Sequence, residues 1–358
     1  MNVEPTAEPL AQHALEQNSA ADEIEEVQEV TGISAPVDGH RQGFRAGDVR
    51  WIRVGAELVG TFLICAVLYF AFSFGQIVLG QPTVILPAIG TALVYMAVTA
   101  MLGSISGGHF NPAVTVAAMF TSQISLIDGL LYIVAQLLGA IGAGFLLIRI
   151  LPTTQTIPAK TWLMFMVNGF DANSPAAPTL SQQHITFGAG IAIIVELIGS
   201  LIVVGAAIAT MRSDGTARKN HGLYTGMAYG AGTLIAYPVT NAALNPARAT
   251  GIAIFAQAKH MPASPISQLW LFWICPLLAA SLVALAVIIS NIVTDGLNNR
   301  AKDATAAETV AEMVDDSDED AVAEHDNTAD TDSSEVDSYL DNLNEAGPDG
   351  RDSSDSAL

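Results

Sequence analysis

Acid is almost missing from the middle of this chain. Of 35 Asp and Glu residues, ten fall in residues 1–48 and nineteen in 303–358, which leaves six between: Glu57, Asp128, Asp171, Glu196, Asp214 and Asp295. Lys and Arg number eleven over 49–302, so the middle is slightly positive although the whole chain stands at −21. The acidic balance belongs to the tails and describes no acidic binding surface. Cysteine is scarce as well. Cys65 and Cys275 each sit within an apolar run and read as buried small hydrophobes. No metal-ligand cluster, Ser/His/Asp arrangement or phosphate-binding glycine loop stands out, since "GAGIAIIVELIG" at 188–199 lies inside an apolar run. The sequence therefore predicts no enzyme, no cofactor and no nucleic-acid partner. An apolar stretch near residue 1 is also lacking: the first begins after some fifty polar residues, which argues against a signal peptide.

What the middle does have is repeated apolar runs of about twenty residues, enough to cross about 30 Å of hydrocarbon as helix. Six are read, at 52–74, 84–103, 127–149, 187–210, 221–240 and 267–293. They must be helical, because lipid offers no partner to an unpaired backbone amide. The flanks are different. Residues 1–48 and 301–358 carry few aromatics and many acids, and such sequence buries too little apolar surface to offset its ordering entropy. Both are expected to be disordered tails, with short helical turns admissible within 7–30. Lys and Arg in the short connections set the orientation. A cytoplasmic N-terminus puts Arg41, Arg45, Arg50, Arg53, Arg212, Arg218, Lys219, Arg300 and Lys302 inside, against Arg149, Lys160, Arg248 and Lys259 outside or re-entrant. Both tails are thus expected in the cytoplasm.

Asn-Pro-Ala occurs twice, at 111–113 and 245–247, each time amid apolar sequence. Asn is a preferred helix N-cap and Pro a preferred first helical residue, so Asn-Pro marks a helix start. The segments that follow, "PAVTVAAMFTSQ" and "PARATGIAIFAQ", are too short to span a bilayer and read as re-entrant half-helices. Residues 51–150 and 187–293 repeat one order: a span with one glutamate (Glu57, Glu196), a span, Asn-Pro-Ala, a span. Three spans per half is odd, so the second copy is inverted. Two helix N-termini, each carrying about half a positive charge, then meet near the membrane centre.

Through "SGGHFNPAVT" (106–115), "YIVAQLLGA" (132–140), "PVTNAALNPAR" (238–248), "QLWLFWICPL" (268–277) and the two glutamates, residues 50–295 resemble the aquaporin, or major intrinsic protein, family. The resemblance implies an all-α membrane protein of six transmembrane helices plus two re-entrant half-helices in an inverted 3+3 repeat. It implies a channel domain over 49–300, homotetrameric assembly in the plasma membrane, and water and small neutral solutes as the molecules that pass. Asn111, Pro112, Ala113, Asn245, Pro246 and Ala247 would form the pore centre, with both amides donating to a passing oxygen. Glu57 and Glu196 would hold the re-entrant loops. Counting from the motifs places Thr91, Thr233, Ala242 and Arg248 at the outer constriction, where small neighbours around the arginine predict a wide, polar mouth. Ala249 after the arginine and Phe272-Trp273 point to water; the small constriction residues leave a glycerol facilitator as the alternative. His109 is expected to support its loop, and His221 to join an inside-facing basic cluster. Rival readings are a gradient-coupled transporter, for which intramembrane charges are too few, and a membrane anchor whose acidic tails recruit a basic partner.

Overall fold

A computed structural model describes residues 46–79 and 83–323. Its long helices are α1 (Ala46–Leu79), α2 (Ile85–Ser106), α4 (Leu126–Ile150), α7 (Ala189–Ala209), α8 (His221–Thr240) and α10 (Pro265–Ala323). Two shorter ones, α3 (Pro112–Phe120) and α9 (Pro246–Ala256), follow the Asn-Pro-Ala motifs, and the connection between the halves carries the short α5 (Ala159–Leu163) and α6 (Ala177–Leu180). There is no strand among the described residues. The chain divides into one unit running to Ala286 and another beginning at Val287, and apart from the end of α10 the elements lie in the first.

Five of the six long helices are long and apolar enough to cross a membrane. The sixth, α8, has 20 residues, about 30 Å at 1.5 Å per residue, but it is diluted by glycine, threonine and tyrosine. Its composition has a packing reason. Gly222, Gly226 and Gly230 repeat every four residues and lie against the backbone of α2 at Met96, Ala92 and Ala88. A Cβ on Gly226 would come within 2.6 Å of the Ala92 carbonyl oxygen. Small residues at such a crossing bring helices together where lipid supplies no hydrophobic drive. Gly226→Ala is expected to lower stability by about 1–3 kcal/mol through overpacking. Gly205→Ala on α7, where a Cβ meets nothing within 4 Å, should be neutral or stabilising. Thermal unfolding in detergent compares the two; equal midpoints would show that the α2–α8 crossing is not tight.

Two helices outrun their expected spans: α1 covers Ala46–Leu79 where 52–74 is expected, and α10 exceeds 267–293 by more. α10 continues to Ala323, well into the segment expected as a disordered tail. "AKDATAAETVAEMV" is rich in strong helix formers, and it extends a helix that is already nucleated, so propagation needs no new nucleus. The helical turns expected within 7–30 and the rest of both tails lie outside the described residues. Both cysteines are buried and free.

Candidate functional site

The two short helices begin as their sequences require. Asn111 (φ −155°, ψ 122°) accepts through Oδ1 from the Ala113 amide at 2.9 Å; Asn245 (φ −149°, ψ 110°) accepts from Ala247 at 2.9 Å and Arg248 at 3.3 Å. Each is followed by proline, whose missing amide costs nothing in a first turn. At 9 and 11 residues the helices reach about 13 and 16 Å, half a bilayer each. They touch one another.

The loops leading into them fold back sharply, and the same backbone is used twice. Gly107, Gly108 and Phe110 have φ of 95°, 73° and 45°; Asn241, Ala242 and Leu244, each 134 positions later, have 60°, 48° and 50°. Glycine adopts this left-handed region freely, but alanine, phenylalanine and leucine do so at about 1–2 kcal/mol each. A buried carboxylate offsets that strain in each half. Glu57 accepts from the His109 and Phe110 amides at 3.0 and 2.6 Å, from Ser106 Oγ at 2.6 Å and from Gln136 Nε2 at 2.8 Å. Glu196 accepts from the Ala243 and Leu244 amides, both at 2.8 Å, and from Thr240 Oγ1. These are charge-assisted bonds in a dry interior, and they pin the loop amides that no helix can satisfy. Among the described residues neither glutamate lies within salt-bridge distance of a cation.

The halves differ beside those carboxylates. In the first, His109 Nδ1 lies 3.1 Å from Thr115 Oγ1, and Gln136 Nε2 donates to both Thr115 Oγ1 (2.9 Å) and Glu57. In the second, Ala243 and Ala249, 134 positions after His109 and Thr115, lie instead in an apolar cluster with Phe272. His109 thus supports its loop. His221 has Nδ1 2.7 Å from Thr210 Oγ1 and is buried at the start of α8.

At the junction itself the asparagine amides have partners that spacing from the motifs did not suggest. Asn111 Nδ2 donates to the Leu244 carbonyl and to the Tyr229 hydroxyl, both at 2.8 Å. Asn245 Nδ2 donates to the Phe110 carbonyl at 2.8 Å and to the Tyr95 hydroxyl at 3.0 Å. Each half's asparagine therefore holds a carbonyl and a tyrosine of the other half. Both hydrogens of each amide are donated to protein groups. Asn111 and Asn245 are 0 % exposed. The signal for Tyr95 and Tyr229 was present, since they are separated by the same 134 positions as the asparagines.

Of the four constriction candidates, Ala242 and Arg248 are directly joined. Arg248, 2 % exposed, donates from Nη1 to the Ala242 carbonyl and to Asn168 Oδ1, both at 2.8 Å, while Nε and Nη2 have no protein partner. The Tyr69 hydroxyl in turn donates to the Arg248 carbonyl. Thr91 turns back to donate to the Pro87 carbonyl of its own helix, and the buried Thr233 hydroxyl is unpartnered. An aromatic does face the guanidinium, but from α1: the Phe72 ring centroid lies 5.1 Å from Arg248 Cζ and packs edge-on against Tyr237. The aromatic beside the guanidinium thus comes from a residue outside both motifs. Asn168, from the connection between the halves, was likewise invisible to motif spacing.

This geometry can now be set beside known proteins. The chain is 31% identical to an "Aquaporin Z" of Photorhabdus laumondii over 231 residues, 63% of this chain and 91% of that one. It is 33% identical to another of that name from Bradyrhizobium diazoefficiens over 235 residues, 64% and 89% of the two chains. A solved aquaglyceroporin from Plasmodium falciparum superposes with a TM-score of 0.48 at 15% identity, covering 66% of this chain and 94% of that one. The family profile described as "Major intrinsic protein" matches residues 48–287, which takes in both copies of the repeat from the first long helix into the last, and the chain belongs to that family.

Proposed function

We propose that this multi-pass membrane protein is a passive channel for water that excludes protons and ions, with no covalent step and no cofactor. The observation that carries the reading is the crossed junction of two asparagine-capped half-helices. Their N-termini focus positive potential on one point, which disfavours hydronium and metal cations there. Arg248 adds a full positive charge toward the mouth, with two donors left free for a permeant oxygen. Relatives bearing the name Aquaporin Z and the alanine at Ala249 favour water. In this reading Asn111, Pro112, Ala113, Asn245, Pro246 and Ala247 form the pore centre, Thr91, Thr233, Ala242 and Arg248 the outer constriction, and Glu57 and Glu196 the loop supports. The channel domain covers 49–300, both termini face the cytoplasm, and the assembly is a homotetramer in the plasma membrane. Exposed Leu93, Val134, Leu138 and Ile194 offer apolar faces to lipid or to neighbouring copies.

A second reading, a facilitator of glycerol and similar neutral solutes, rests on the small side chains at Thr91, Thr233 and Ala242. Stopped-flow measurements on reconstituted vesicles separate the two. Shrinkage in sucrose should exceed that of protein-free vesicles, while glycerol uptake stays at the protein-free rate. Glycerol uptake as fast as water efflux would select the facilitator.

A further inference from the structure

The two tyrosines at the junction do more than satisfy the asparagines. Tyr95 on α2 and Tyr229 on α8 stack ring on ring, with centroids 3.3 Å apart and planes 9° from parallel. They are 1 % and 0 % exposed. The close α2–α8 crossing at Gly226 and Gly230 puts the two helices near enough for this contact. Each hydroxyl takes one amide hydrogen of an asparagine, the hydrogen that does not go to the opposite loop carbonyl. One turn along each helix stands a buried threonine, Thr99 and Thr233, again 134 positions apart, and neither hydroxyl has a protein partner. Unpaired polar groups thus flank the stack on both helices, whereas at the stack itself every donor of the two amides is matched.

We propose that Tyr95 and Tyr229 form a closed aromatic gate at the midpoint of the pore. This rests on the channel reading above and adds the residues that limit its flux. Two rings in van der Waals contact leave no gap for a water molecule between them, and their hydroxyls occupy the positions from which the amides would hold a permeant oxygen. Passage requires the rings to part and the permeant to replace a phenol oxygen on each amide. The pair is matched for this: the donor that releases Tyr229 belongs to the first half-helix, the one that releases Tyr95 to the second, so opening is coupled across the repeat.

The test is water permeability of the full chain in vesicles, per copy of protein, for the wild type, Tyr95→Val, Tyr229→Val and the double variant. Valine removes the ring while remaining apolar, and size-exclusion profiles verify assembly. The double variant is expected to conduct water about tenfold faster than the wild type, and each single variant about threefold faster, so that the singles decide the matter if the double variant does not assemble. A wild type already as fast as the assembled valine variants overturns the gate and leaves the channel reading standing. Assembled wild type and variants that all shrink at the protein-free rate overturn the channel reading, and the gate with it.

Discussion

Glu57→Ala should lower the unfolding midpoint in detergent by roughly 10 °C, the largest stability effect expected of a single substitution outside the helix crossings. The side chain accepts four hydrogen bonds while fully buried. Two of the donors can find other partners, because Ser106 can rotate and Gln136 already reaches Thr115. The His109 and Phe110 amides cannot. Each buried orphan costs about 1–3 kcal/mol, and Phe110 sits at φ 45°, a strained conformation that the carboxylate helps to fix. Relief of the carboxylate's own desolvation works in the other direction, so the lower half of that range applies. A net loss of about 3 kcal/mol corresponds to roughly 6–12 °C in a chain of this size. Glu57→Gln should fall between the two, since its amide carbonyl can accept but its amide hydrogens face donors. A midpoint for Glu57→Ala within about 2 °C of the wild type, where about 1 kcal/mol or less has been lost, would show that the loop holds its shape without the carboxylate.

The second large effect concerns selectivity and is read in the Tyr229→Val background, where flux is high. Arg248→Val is expected to raise proton and cation leakage about ten- to a hundredfold. No carboxylate lies within salt-bridge distance of Arg248 among the described residues, so its charge is not neutralised by a direct partner. A unit charge about 6 Å away opposes a cation by roughly 3 kcal/mol at an effective dielectric constant of about 20, close to a hundredfold by Boltzmann weighting. The half-helix N-termini remain in the variant, which is why the loss should be partial. Collapse of a pH gradient, followed with a dye trapped in the vesicles, measures it. Rapid water flux with an intact proton barrier would remove Arg248 from the selectivity mechanism.

What could be read from the sequence follows the range of the interactions involved. Asn111 and Asn245 were legible because capping is local: Asn followed by Pro announces a helix start, and the acceptor and donor lie within three residues. Glu57 and Glu196 were legible as the lone acids of apolar spans, although their partners, some 50 residues away, came from the family resemblance. Tyr95 and Tyr229 were not singled out. A tyrosine in an apolar span has many ordinary explanations, and its partner here is 150 or 118 residues distant, reached only after both halves have folded. Phe72 and Asn168 escaped for a similar reason, as they approach Arg248 from elements that the motifs do not index. The length of the last helix was hidden by composition: acids suggest a tail, whereas Ala, Glu and Met next to an existing helix prolong it.

The unlike linings behind the two carboxylates bear on how such a duplicated chain can change. His109, Thr115 and Gln136 interlock through hydrogen bonds, while Ala243, Ala249 and Phe272 interlock through shape. Moving one member alone across the repeat, such as threonine into the place of Ala249, strands a hydroxyl among apolar side chains. A segment carrying one lining therefore does not fit behind the other half's carboxylate unless its partners move with it. The pseudo-symmetry thus survives in the backbone while the chemistry behind it has been locked into two non-interchangeable versions.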